Sequence, residues 1–179
     1  MVARHLVKLS GYGPHRYDGQ TVSVEDVAAS LAKVREPWIV ALLRAQFAAD
    51  ASGIPLVRME LTTRFARSKH WRRDRLDRLA DLAVREHLAP AVCRVCAGEG
   101  STAQEVIMGR PAIRVPCRPC DGRGFRDWPQ RTRAAAVGVD VSGWNRRYQG
   151  IYGQMQIELR NWVSQGLAQI GPFLAPGSF

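Results

Sequence analysis

The sequence predicts a mainly α fold: a helical bundle interrupted by one short β-hairpin and followed by two helices joined by a tight turn. Three observations carry that prediction. Apolar residues recur at helical spacing outside the middle of the chain, as in Leu76, Leu79, Leu82, Ala83 and Leu88. The strand-like stretches Glu105-Val-Ile-Met108 and Ala112-Ile-Arg-Val115 flank Gly109-Arg-Pro111 and lie between two copies of a Cys-x-x-Cys-x-Gly-x-Gly octapeptide. After the second copy an alanine-containing run, a Gly-bearing turn and a longer amphipathic run follow in succession.

Residues 1–22 hold Gly11, Gly13, Pro14 and Gly19 with little periodicity, and an irregular arm is expected there. A helical scaffold is expected over 23–92. Ser23-Val-Glu-Asp26 resembles a capping box with Asp26 in place of the usual Glu or Gln, and it opens a helix to about Arg35. Pro37 suits the first turn of a second helix. Trp38, Leu42, Ala45, Phe47 and Ala48 give that helix an apolar side, and Gly53 and Pro55 end it. Residues 58–69 are polar and ambiguous. From Arg72 the leucine stripe marks a strong amphipathic helix. Its Arg72, Arg75 and Arg78 stand beside Asp74, Asp77 and Asp81, so ion pairs at i,i+3 and i,i+4 are expected. Lys69, Arg72 and Arg73 have fewer acidic neighbours and are candidates for phosphate contact. Pro90 stops the helix.

The segment 93–124 contains every cysteine of the chain. Cys93-Arg-Val-Cys96-Ala-Gly-Glu-Gly100 is answered by Cys117-Arg-Pro-Cys120-Asp-Gly-Arg-Gly124. Two Cys-x-x-Cys pairs at this separation supply four thiolates, and tetrahedral Zn2+ saturates on four. Glycine at the same offsets after each pair permits the positive φ that a tight metal knuckle needs. One structural zinc ion on Cys93, Cys96, Cys117 and Cys120 is therefore expected, in a zinc-ribbon-like layout. A catalytic zinc would need an open coordination position, which four sulfurs do not leave. Disulfides would need an oxidising compartment, and residues 1–10 lack the apolar run and cleavage site of a signal peptide. So short a hairpin is unstable alone, and the metal must contribute on the order of 10 kcal/mol.

Over 125–170 a short helix is expected at 129–137, containing Arg131 and Arg133, then a turn at Gly138-Val-Asp-Val141. Ser142 is the expected N-cap of a long helix bearing Trp144, Asn145, Arg146 and Arg147 on its first turns and continuing through Met155, Ile157, Leu159 and Trp162. The pattern fits a helix-turn-helix, whose second helix places Asn and Arg at base edges. It fits equally an α-hairpin packed on the core. Residues 171–179, with two prolines, are expected to be loose.

The chain has 26 basic and 16 acidic residues among 179, a net charge of +10, with 23 of the basic residues arginine. The excess predicts a polyanionic partner. Residues 1–62 contribute almost none of it. No run approaches the ~20 apolar residues of a membrane-spanning helix. A nucleophile elbow, a P-loop and an open metal site are all missing from the pattern, so no enzyme class is favoured. His5, His15, His70 and His87 are scattered, as structural or solvent-facing residues would be.

Taken together, a basic amphipathic helix, the two cysteine octapeptides around a hairpin, Phe125, the short helix at 131–137 and Trp144-Asn-Arg-Arg-Tyr148 run in an order that resembles the Q antitermination proteins of lambdoid phages, over roughly residues 60–165. The resemblance implies a non-enzymatic factor in the cytoplasm of a bacterial host. Such a factor binds double-stranded DNA of a late promoter and engages paused RNA polymerase holoenzyme with its sigma factor. It makes the enzyme read through terminators, acting near the path of the nascent RNA. It also implies Cys93, Cys96, Cys117 and Cys120 as zinc ligands, and places Arg131, Arg133, Trp144, Asn145, Arg146 and Arg147 where DNA contacts lie. The metal module, set between a basic helix and a helix-turn-helix, is expected to fix their relative orientation. Two other classes compete. One is a zinc-containing DNA-binding regulator acting at initiation. The other is a peptide-binding module like the cysteine-rich domain of J-domain co-chaperones, which has four such repeats where this chain has two.

Overall fold

The computed structural model describes residues 31–67, 71–104 and 113–170. The expected arm at 1–22, the capping box Ser23-Val-Glu-Asp26, Lys69, the turn Gly109-Arg-Pro111 and the tail from 171 lie outside the described residues. Those described are mainly helical, with two small two-stranded sheets. They fall into two compact units. One holds residues 89–128, and the other holds the helices on either side of that segment.

The helical unit comprises α1 (Pro37–Phe47), α2 (Ile54–Ala66), α3 (Arg73–Leu88), α4 (Gln130–Val137), α5 (Val141–Gly143), a π-helical turn (Trp144–Tyr148) and α6 (Gln149–Ile170). Its core joins Ile39, Leu42 and Leu43 of α1, Val57 and Leu61 of α2, and Leu76, Leu79, Leu82 and Ala83 of α3 to Met155, Leu159, Trp162 and Val163 of α6. The α3 stripe is the one the periodicity predicts. On α6 the buried positions keep helical spacing, and Ile157 falls on the other side and is half exposed. On α1, Ile39 and Leu43 join Leu42 in the core.

The polar segment of ambiguous sequence is helical as far as Ala66, within α2. α1 stops at Phe47 as Ala49 turns to φ 54°, and Pro55, expected to end a helix, sits in the first turn of α2. Proline is tolerated there because its missing N–H would have no intrahelical partner. Only Val57, Leu61 and Thr62 of α2 are buried, too sparse a stripe to announce the helix in a polar segment. Polar contacts add to the anchorage that Val57 and Leu61 give α2. Arg64 donates to Glu60 at 2.9 Å and to Glu158 at 2.6 Å, and its guanidinium lies 5.7 Å from the Trp38 ring and 5.2 Å from the Trp162 ring.

The expected ion pairs along α3 are largely replaced by tertiary contacts. Asp81 binds Arg58 of α2 at 3.0 Å as well as Arg85. Arg75 keeps a 3.9 Å pair with Asp74 and also donates to the carbonyls of Val137 and Gly138, and Arg78 reaches Val137 O at 3.5 Å. These carbonyls end α4, where a helix leaves acceptors unsatisfied and its dipole is negative. Gly138 takes φ 75°, and a Cβ there would lie 2.7 Å from Arg78 Nη1, so glycine serves both the cap and the arginines.

Arg133 of α4 is drawn inward to Glu86 of α3, with contacts of 2.9 and 2.5 Å. Glu86 also accepts from the Tyr152 hydroxyl, and Gln156 joins Tyr152 to the Ala83 carbonyl, each at 2.9 Å. Burial, and then the adjacent Glu86 carboxylate, push the Tyr152 phenol above its ordinary pKa and keep it a donor. These contacts dock α4 on α3 and α6 directly. The helices flanking the cysteine segment thus pack on one another directly. Asp140, rather than Ser142, caps the next helix, its Oδ1 accepting from Gly143 N at 3.0 Å.

Candidate metal centre and basic face

In the unit holding 89–128, strands β1 (Ala91–Val92) and β4 (Phe125–Arg126) pair antiparallel, as do β2 (Ser101–Gln104) and β3 (Ile113–Pro116). β2 and β3 flank the expected hairpin turn, and the first expected strand, Glu105-Val-Ile-Met108, lies outside the described residues. The repeat in the sequence becomes a pseudo-two-fold in space. Cys93 N donates to Gly124 O at 2.9 Å, and Cys117 N donates to Gly100 O at 2.8 Å. Ala91 pairs with Arg126 as Val115 pairs with Thr102. Ala97, Gly98 and Gly100 have positive φ, and so do their counterparts Asp121, Gly122 and Gly124.

The glycines do more than permit the turn. A Cβ on Gly100 would stand 2.2 Å from Gly122 O, and one on Gly124 would stand 2.4 Å from Gly98 O. The knuckles interlock through bare backbone. Gly100→Ala is expected to cost at least ~2 kcal/mol, from left-handed strain plus this clash. Gly98→Ala, whose Cβ would meet only Val92 at 3.5 Å, should cost clearly less. Thermal unfolding and metal competition on both variants check the order; equal losses would remove the interlock from the explanation.

Each knuckle also aims an N–H at its second sulfur: Gly100 N to Cys96 Sγ and Gly124 N to Cys120 Sγ, both 3.3 Å. The four sulfurs are buried and lie within 4.8 Å of one another, an arrangement able to hold a metal ion. Cys93 and Cys117 are 3.8 Å apart at sulfur, and Cys96 and Cys120 are 3.7 Å apart. That is far beyond a disulfide bond. It matches the about 3.8 Å edge of a sulfur tetrahedron with metal–sulfur bonds of about 2.3 Å. Backbone N–H groups of Cys96 and Val95 lower the Cys93 thiol to about 7, while burial and then the neighbouring thiols push Cys117 up to about 12. One sulfur ionises readily. Further negative charge in this pocket calls for a cation at its centre.

In the helical unit the predicted basic residues divide. Arg131, Asn145, Arg146 and Arg147 are exposed, and Arg146 bonds only back to the Ser142 carbonyl at 3.4 Å. Trp144 and Arg133, expected among the DNA contacts, are not on that surface. Trp144 is 0% exposed, its ring 5.3 Å from Tyr152, and Arg133 is held by Glu86 beneath the same ring. An indole at the first turn of a long helix is worth more in the core than in water. Arg72 pairs with its neighbour Asp74 at 3.1 Å, and Arg73 is exposed.

The spacing of the sequence did not reveal that these segments meet. Trp71, just before α3, lies 5.5 Å from Tyr148, which follows the exposed Asn145, Arg146 and Arg147 in the chain. The π-helical turn spans those residues, turning Trp144 inward while the three polar side chains stay out. Single π turns recur at functional sites. His87 is structural: burial, then Arg160, lowers its pKa to about 4 and keeps it neutral. No described helix is long and apolar enough to cross a membrane.

The fold and these sites define a class: a helical unit with an arginine-rich face, and a separate four-cysteine unit that can hold one metal ion. No protein-family model matches the chain, and no curated protein matches it by sequence.

Proposed function

We propose that this protein is a DNA-binding transcription factor of the antitermination type, carrying one structural zinc ion on Cys93, Cys96, Cys117 and Cys120. The observation that carries the DNA reading is the exposure of Asn145, Arg146 and Arg147 on the first turns of the long helix that follows α4 and its capped turn. α4, the turn capped by Gly138 and Asp140, and the helix beginning at α5 have the connectivity of a helix-turn-helix. In this reading the second helix enters the major groove, where Asn145 reads adenine and Arg146 or Arg147 reads guanine. Arg72, Arg73 and Arg131 contact phosphates on either side. Four cysteine sulfurs favour zinc among the divalent ions, and a site closed by four protein ligands serves folding, not catalysis.

The order of motifs supports antitermination over other DNA-binding roles, with RNA polymerase as the second partner. Replacing Arg146 or Arg147 by Ala is expected to cost ~1 to 3 kcal/mol of specific DNA binding, and affinity should fall steeply with salt. Unchanged binding in both variants moves the recognition surface elsewhere. Transcription of a template carrying the protein's own promoter and a downstream terminator separates the roles. Read-through that depends on the protein supports antitermination, whereas an effect on initiation alone supports the regulator reading.

A further inference from the structure

The unit holding the cysteines carries an apolar surface that neither the metal nor the DNA reading uses. Val95 is 61% exposed although it sits between two buried ligands, and Val92 is 46% exposed. A single exposed valine is ordinary. Here Val95 lines one open groove with Thr102, Val115, Pro116, Arg118 and Pro119. Pro116 and Pro119 are exposed as well.

Val95 and Pro119 occupy the same place in the two Cys-x-x-Cys knuckles, each one residue before a ligand. The backbone under both is held by the interlocked turns. A partner would meet these apolar groups already ordered, so little conformational freedom would be lost on docking.

Among the described lining residues the one charge is that of Arg118. In this unit Glu99 is taken by Arg114 and Asp127 by Arg123. Among the described residues, Arg94, Arg118 and Arg126 make no ion pair, against Asp121 alone on the acidic side. Among the described residues the lining holds no aromatic ring on which a base could stack, and Thr102 is its one uncharged polar side chain. Branched aliphatic and proline surface beside unpaired arginine suits a polypeptide better than a nucleic acid.

We propose that this groove is a docking site for an acidic polypeptide segment that inserts an apolar side chain between Val95, Val115 and Pro119 and sets a carboxylate on Arg118. The site is independent of the DNA reading, since it uses none of the same residues.

The test takes the full metal-loaded chain and measures fluorescence anisotropy of a short synthetic peptide alternating leucine and aspartate. A leucine–lysine peptide and a single-stranded oligonucleotide serve as comparisons. The leucine–aspartate peptide should bind, and the leucine–lysine peptide at least ~tenfold more weakly. Val95→Asp and Val115→Asp should each weaken binding of the acidic peptide by a similar factor, and Arg118→Gln should weaken it as well. Metal content, measured on each variant, should stay at one ion per chain; two positions on different knuckle elements guard against loss of the fold in either. Absence of acidic-peptide binding overturns the proposal, as does equal affinity for the basic peptide or binding unmoved by the valine variants. Oligonucleotide binding that is lost with Val95→Asp would give the groove to nucleic acid and overturn it too.

Discussion

Removing the metal is expected to unfold residues 89–128 while the helical unit keeps its helices. The cysteine unit has two-stranded sheets of two and four residues and a buried cluster made of Cys93, Cys96, Cys117 and Cys120. Sheets of this size do not hold themselves in water. A structural zinc ion supplies on the order of 10 kcal/mol, and without it four ionisable sulfurs would crowd one pocket. The helical unit has an aliphatic and tryptophan core of its own. Chelation, or Cys93→Ser, should therefore collapse the dispersed amide resonances of Gly98, Gly100, Gly122 and Gly124 while most far-ultraviolet helical signal remains. Metal analysis of the intact chain should find one zinc. A metal-free chain with those glycine resonances still dispersed would overturn the structural role of the metal. Protons compete with the metal for thiolates, so the same collapse should appear as pH is lowered.

Glu86→Ala is expected to destabilise the helical unit by ~3 to 5 kcal/mol, because it leaves Arg133 buried without its carboxylate and Tyr152 without an acceptor. Glu86 is only 7% exposed, and its partners come from α4 and α6. The double variant Glu86→Leu with Arg133→Met should lose less than Glu86→Ala alone, since apolar groups of similar volume replace both charges. Urea denaturation measures all three. A loss below ~1 kcal/mol for Glu86→Ala would mean that water reaches Arg133 and that the network does not dock α4.

The same residues mark the limit of what could be read in sequence. Glu86 and Arg133 are far apart in the chain, and neither is placed by any local pattern. Arg75 and Arg78 look like helix-surface ion-pair partners because i,i+3 and i,i+4 neighbours are visible in sequence, whereas the carbonyl end of another helix is not. α2 stayed ambiguous because it buries only three side chains, and Arg64 stacking on Trp38 and Trp162 adds to their anchorage. Trp144 was misplaced for a related reason. Its position at a helix start suits groove contact and core packing alike, and the tertiary partner Tyr152 decides between them.

What the sequence determined by itself is the metal unit. Ligand identity, ligand spacing and glycine at fixed offsets are local properties, and the octapeptide repeat carries the pseudo-two-fold within it. The α3 stripe was legible on the same ground, since helical periodicity needs no partner to be seen. The tertiary structure alone decided which arginines are surface and which are struts. It tied Arg133 to Glu86, and Arg75 and Arg78 to the carbonyl end of α4, and left Arg72, Arg73, Arg146 and Arg147 exposed. Charge and side-chain length are the same in both groups. Whether a carboxylate or a helix end lies within reach is settled only when the helices pack.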